Sequence, residues 1–184
     1  MLLSFPACSP AFVIAMTDTA APLPSSAQRV ADLLVSMGHD KPVVMLPSTG
    51  RTSAEAAAAV GCDVAEIAKS IIFRRLADDA PVLVIASGAN RVDEAKVTAL
   101  TGPLGKADAK FVREKTGYAI GGVCPVGHVV KPVMLIDRDL FNFDSIWAAA
   151  GHPHALFSLT AAQLEKMTGG AVADVRLEAP PPAH

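Results

Sequence analysis

The sequence predicts a single α/β domain built around a mixed β-sheet. Three observations carry that expectation. The chain has 184 residues, enough for one well-buried core and too few for two independent ones. The short runs SIIFRR, PVLVIAS and PVMLID are rich in β-branched or aliphatic residues and have the length of strands. Helical spacings lie between them, in an order that lacks the strict βαβ rhythm of a doubly wound fold.

Each element follows from local chemistry. In AQRVADLLVSMG, Val30, Leu33, Leu34 and Met37 recur at i, i+3, i+4 and i+7, an amphipathic helix closed by Gly38. KPVVML reads as a short strand ended by the turn PSTG. Thr52 and Glu55 form a capping box opening TSAEAAAAVG, and Asp63 caps a second short helix, DVAEIAKS. SIIFRR and PVLVIAS are then paired strands around LADDA. NRVDEAKVTALTG and DAKFVREKTG read as helices, PVMLID as a buried strand and HALFSL as another. Thr160 and Gln163 cap the helix TAAQLEKMTGG, and VADV closes the fold.

Residues 1–23 are expected to be a flexible extension and 177–184 a disordered tail. The opening MLLSFPACSPAFVIA has no basic n-region and is broken by Pro6 and Pro10, so it does not read as an export signal. Met1 and Met16 both stand as starts, with Met16 favoured. No run approaches the ~20 apolar residues of a membrane span. Cys8, Cys62 and Cys124 form neither a metal spacing nor a disulfide framework, which points to a reducing cytoplasm.

The formal net charge is −2, but from Lys69 to Lys131 ten Lys/Arg face six Asp/Glu, a local balance of +4. Such asymmetry either steers a polyanion to one face or solvates helices. The chain has no Walker loop, no G-x-S-x-G elbow and no H-E-x-x-H pair, and no cofactor is expected.

The chemistry-bearing residues gather around one loop, GYAIGGVCPVGH, which holds four glycines in twelve residues. It is either a turn between elements or a loop whose main-chain N–H groups hold a reacting group. Cys124 within it reads as a small buried thiol, with His128 its only evident partner as a nucleophile. Lys69 sits where DVAEIAKS passes into SIIF. It can be a helix-terminal lysine or a point charge for a phosphate or substrate oxygen. His152 and His154, in AAAGHPHALF, offer proton transfer or hydrogen bonding, and lack the third ligand a metal would need.

Lys69 in AKSIIF, the run VLVIASGANRVDEAKVTALTG, the loop TGYAIGGVCPVGH, the strand PVMLID and WAAAGHPHALFSLTAAQLEKMTGG together resemble the YbaK family. That family is related to the editing insertion domain of bacterial prolyl-tRNA synthetase. The resemblance runs from about Pro24 to Val175 and places the domain at 24–176. It implies a compact mixed sheet, partly barrel-like, with flanking helices. It also implies a cytoplasmic trans-editing aminoacyl-tRNA deacylase, which hydrolyses the ester of a mischarged tRNA, a proline tRNA carrying a small wrong amino acid. The partners implied are the aminoacyl-tRNA acceptor end and prolyl-tRNA synthetase, with the protein a monomer or weak homodimer. Lys69 matches the family lysine at the substrate cleft. Gly121, Gly122, Pro125 and Gly127 match the catalytic glycine-rich loop, and Gly151 matches a second glycine site. Cys124, His128 and His154 join Gly151 as candidate substrate contacts. The alternative is a module of the same fold that binds a tRNA end, nucleotide or synthetase without turnover.

Overall fold

The computed structural model describes residues 22–46 and 52–178. The expected turn PSTG, most of the N-terminal extension and residues 179–184 lie outside the described residues. The elements run α1 (Ser25–Ser36), β1 (Val44–Met45), α2 (Ser53–Val60), β2 (Ile67–Arg75), β3 (Pro81–Ser87), α3 (Glu94–Thr101), β4 (Leu104–Lys106), α4 (Ala109–Thr116), β5 (Val133–Asp137), β6 (Ile146–Ala149), β7 (Ala155–Leu159), α5 (Ala161–Thr168) and β8 (Ala171–Ala173).

The strands form one mixed sheet in the order β1-β7-β6-β2-β3-β5-β8, with β4 also paired to β2. β2 runs antiparallel to β3, while β3 with β5, β5 with β8 and β2 with β6 are parallel. The predicted α/β domain with a mixed sheet is therefore the observed fold. Every residue of β3 is buried, which explains its unbroken apolar sequence: both faces are covered. Leu83 and Ile85 pack with Val30 and Leu34 of α1, Leu164 of α5 and Val123 and Val126 of the glycine-rich loop. Val82, Val84 and Ala86 point the other way, against Val97 of α3 and Val175. Burying each such aliphatic side chain is worth about 1.5–3 kcal/mol. A third cluster joins Ile67 and Leu156 to Ala56 and Ala57 of α2.

The predicted capping boxes are both present, Thr52 with Glu55 and Thr160 with Gln163. The DVAEIAKS helix is replaced by a single 3-10 turn, Val64–Glu66, after which β2 begins at Ile67. Asp63 and Glu66 still form a capping box, but the sheet takes over when Ala68 pairs with Ser87. Lys69 consequently lies inside a strand rather than at a helix end. Among the described residues no helix is long and apolar enough to cross a membrane.

Candidate functional site

β6 pairs with β2 only at Ile67↔Trp147 and Ala68↔Ala148, and β4 reaches the same edge only from Phe73 onward. The edge of β2 is therefore split. Beside this split a cavity of about 150 Å³ opens, walled by Ala68, Lys69 and Ser70 of β2, Gly121 of the loop, and Trp147 and Leu156. The N-terminal end of α2 closes one side with Thr52 and Ser53.

Lys69 contributes to the wall of this cleft, and its ammonium is anchored on the Ala86 face of β2. Nζ donates to the carbonyl of Gly88 at 3.3 Å and to the carbonyl of Asn90. The turn carrying those carbonyls is itself fixed. Asn90 Nδ2 donates to Asp137 Oδ2 at 2.8 Å and to Asp139 Oδ2 at 2.9 Å. Ser87 N–H adds a bond to Asp137 Oδ2 at 3.1 Å. Burial lowers the pKa of Lys69 from its ordinary value, and the nearby Asp137 carboxylate works against that. An ammonium has three donors, so one remains for a ligand.

The glycine-rich loop fills the span between α4 and β5. Its hoop is tied by Tyr118, the only tyrosine, whose buried hydroxyl donates to Val126 O at 2.8 Å. Burial pushes the Tyr118 phenol up to about 12. Gly121 and Val123 face the cleft. Gly122 lies beneath them, and a Cβ there would come within 2.9 Å of the His152 main chain. Only glycine lets the loop and the 151–154 turn approach so closely. The Gly122 N–H is committed to Ala119 O at 3.0 Å.

The remaining predicted residues divide. Pro125, Gly127 and His128 line a separate cavity on the other side of the loop, shared with Leu33 and Met37 of the α1 region and Met167 of α5. Cys124 is fully buried, and burial pushes its thiol up to about 12. Burial also lowers the pKa of His128. Gly151 packs on α1, where a Cβ would sit 2.7 Å from Ser26 O. His154 lies next to Pro153, a cleft residue, but its own carbonyl is engaged by Leu46 N–H at 2.6 Å. The structure thus brings Lys69 and Gly121 together, sets Gly122 behind them, and places Pro125, Gly127 and His128 elsewhere.

Sequence reasoning missed Ser70, Trp147 and Leu156 in the cleft. Trp147 is the only tryptophan of the chain, and that rarity was its one available signal. The charge asymmetry is also smaller than it looked. Arg74, Arg75, Lys96, Lys110 and Lys115 all have acidic partners. Arg91, Lys106, Arg113 and Lys131 are exposed and form no ion pair within 4.0 Å among the described residues.

A mixed sheet with a split strand edge, a lysine and a glycine-rich loop at one cleft defines a class rather than a single protein. The sequence match is more specific: residues 47–167 match the model of the aminoacyl-tRNA editing domain, and the chain belongs to that family. A solved structure described as that of a candidate trans-editing enzyme for prolyl-tRNA synthetase is 43% identical, with a TM-score of 0.81 over 85% of this chain and 100% of that one. The protein APE2540 is 31% identical, with a TM-score of 0.74 over 81% of this chain and 99% of its own. The uncharacterized YwhH of Bacillus subtilis (strain 168) is 29% identical over 131 residues, 71% of this chain and 83% of YwhH.

Proposed function

We propose that this protein is a trans-editing aminoacyl-tRNA deacylase, acting on the ester of a proline tRNA charged with a small wrong amino acid. The observation that carries the reading is the meeting of Lys69 and Gly121 in one cleft of about 150 Å³, walled by small and apolar side chains. Residues 24–176 form the editing domain in this reading. Lys69, held by Gly88 and Asn90, offers its third donor to the tRNA terminus. With the Gly122 N–H occupied, the main chain at Gly121 and Val123 is left to stabilise the tetrahedral oxyanion. An ester needs less activation than an amide, and a ribose hydroxyl of the substrate orients the attacking water. A second hydrolytic site is useful because a pocket separates amino acids differing by one methylene only about 10–200-fold.

The second reading, a binding module without turnover, is favoured by one observation: no Asp, Glu, His or Cys is among the described residues walling the cleft. A panel of tRNAs charged with Ala, Ser, Cys, Thr, 2-aminobutyrate and Pro separates the two. Rapid release of one or two small amino acids, lost in a folded Lys69→Ala variant, supports the deacylase. Binding of tRNA with every ester stable supports the module.

A further inference from the structure

Ser70 is half-buried in the cleft wall, and its buried hydroxyl oxygen has no hydrogen-bond partner among the described residues. Leaving a buried hydroxyl unpaired costs about 1–3 kcal/mol, and a polar ligand atom in the cleft would relieve that cost. Its main chain points the same way. The β2–β3 ladder runs without a slip from Ala68↔Ser87 to Arg74↔Pro81. At its far end Arg75 N–H turns inward to Ala80 O, while Leu76 N–H turns outward to Pro103 O. Counting back in steps of two places the N–H and C=O of Arg74, Ile72 and Ser70 on the outer edge. There the β6 ladder has already ended at Ala68↔Ala148, and the β4 ladder has not begun before Phe73. Ser70 therefore presents a hydroxyl and an open strand edge to the split.

The surroundings select what can bind. Ala68, Val123, Trp147, Ala149 and Leu156 are apolar, and the Thr52 hydroxyl is occupied by Glu55 N–H. The Lys69 ammonium does not compete, because alternation sends its side chain to the opposite face of β2, toward Gly88 and Asn90.

We propose that Ser70 recognises the free α-amino group of the bound aminoacyl moiety, with its Oγ and its main-chain carbonyl as acceptors. The inference rests on the deacylase reading for the identity of the ligand, and it makes Ser70 a residue that requires an unblocked amino acid. The test uses 3′-(L-alanylamino)-3′-deoxyadenosine, a non-hydrolysable amide, and its N-acetyl derivative. Binding is read from the fluorescence of Trp147, the only tryptophan and itself a cleft residue.

The wild type is expected to bind the free amine at least tenfold more tightly than the acetylated form. Ser70→Ala should weaken the free amine about tenfold, the worth of one hydrogen bond to a charged group, and leave the acetylated form unchanged. Ser70→Thr, which keeps the hydroxyl, should restore the preference. An unchanged amine-to-acetyl ratio in Ser70→Ala overturns the proposal, as does a wild type that binds neither compound. Turnover on charged tRNA is scored separately: an intact ratio without hydrolysis sinks the deacylase reading and leaves the role of Ser70 standing.

Discussion

Lys69 and Asp137 stand in one row of the sheet, on either side of Ala86, and both close on Asn90. Lys69 pairs with Ala86, and Asp137 lies one step beyond the Ile85↔Ile136 pair, so all three share a face. Ala86 is small enough to leave room above it. Asn90 then bridges the two, its carbonyl on the ammonium and its amide on the carboxylate. A buried carboxylate thus fixes the position of the cleft lysine without contacting it.

On the proposed deacylase reading, this arrangement sets a pH dependence. Burial lowers the Lys69 pKa below the ordinary 10.5 and Asp137 opposes the shift. Hydrolysis that needs the ammonium is retained below the folded-state pKa and lost as pH rises through it. Asp137→Asn removes the opposing charge, so the loss should move to lower pH. A profile of enzymatic rate from about pH 7 to 10, corrected for spontaneous ester hydrolysis, checks this against the usual lysine range. An upper limb that stays in place would break the link between the two residues.

Gly122 should tolerate no side chain. In Gly122→Ala the new methyl meets main chain of His152, which cannot swing aside as a flexible side chain would. The cost is about 1–3 kcal/mol in urea unfolding, with a further loss of deacylation as the loop lifts from the cleft. Gly169→Ala is the contrast. It has φ +65° with nothing within 4 Å of the added Cβ, so it costs only the backbone strain of about 1–2 kcal/mol and should leave activity intact.

Cys124 should be inert. A thiol pushed up to about 12 and wholly shielded supplies no thiolate at neutral pH. Peptide mapping after iodoacetamide treatment of the native protein should find Cys124 unmodified, and fully modified once the protein is unfolded. Cys124→Ala should keep catalysis within a few-fold. A large loss of rate in a folded variant would restore Cys124 as a nucleophile.

On the proposed tRNA reading, the salt dependence contributed by the Lys69–Lys131 segment should be shallow. Within Lys69–Lys131, four exposed basic residues, Arg91, Lys106, Arg113 and Lys131, lack acidic partners within 4.0 Å among the described residues. If all met phosphates, the slope of log affinity against log salt would be about −3 to −4. Titrating KM for charged tRNA with KCl gives the number directly. A much steeper slope would mean that the internal ion pairs, such as Lys115 with Asp79, open on binding.

The sequence showed most where local chemistry decides structure. Thr52 with Glu55 and Thr160 with Gln163 marked two helix starts, and the unbroken apolar run of β3 marked a strand covered on both faces. It showed least where a segment is defined by its neighbours. β4 is three residues with a central glycine and exists by pairing with Phe73, Arg74 and Arg75. β6, to which the sequence assigned no element, becomes a strand between β2 and β7. The same competition turned DVAEIAKS from a helix into a 3-10 turn and moved Lys69 into the sheet. The glycine-rich loop was visible as a loop. Its division into a cleft side at Gly121 and a far side at Gly127 depends on the Tyr118–Val126 bond, which spacing alone does not reveal.

His128 should make the fold sensitive to mild acid. It packs edge-on to Tyr118 with ring centroids 6.0 Å apart, and its Nε2 is buried without a partner. Burial lowers its pKa from the ordinary 6.5. In the unfolded chain the imidazole takes up a proton near 6.5, while the folded protein resists it until the pH is lower. The unfolded state therefore binds more protons in that window. Stability is complete above about 6.5 and is lost as pH falls through the depressed folded-state value. Melting temperatures measured across this range should fall toward acid, and His128→Gln, which cannot charge, should flatten the decline. A variant that melts with the same pH slope as the wild type would place the acid sensitivity at another group.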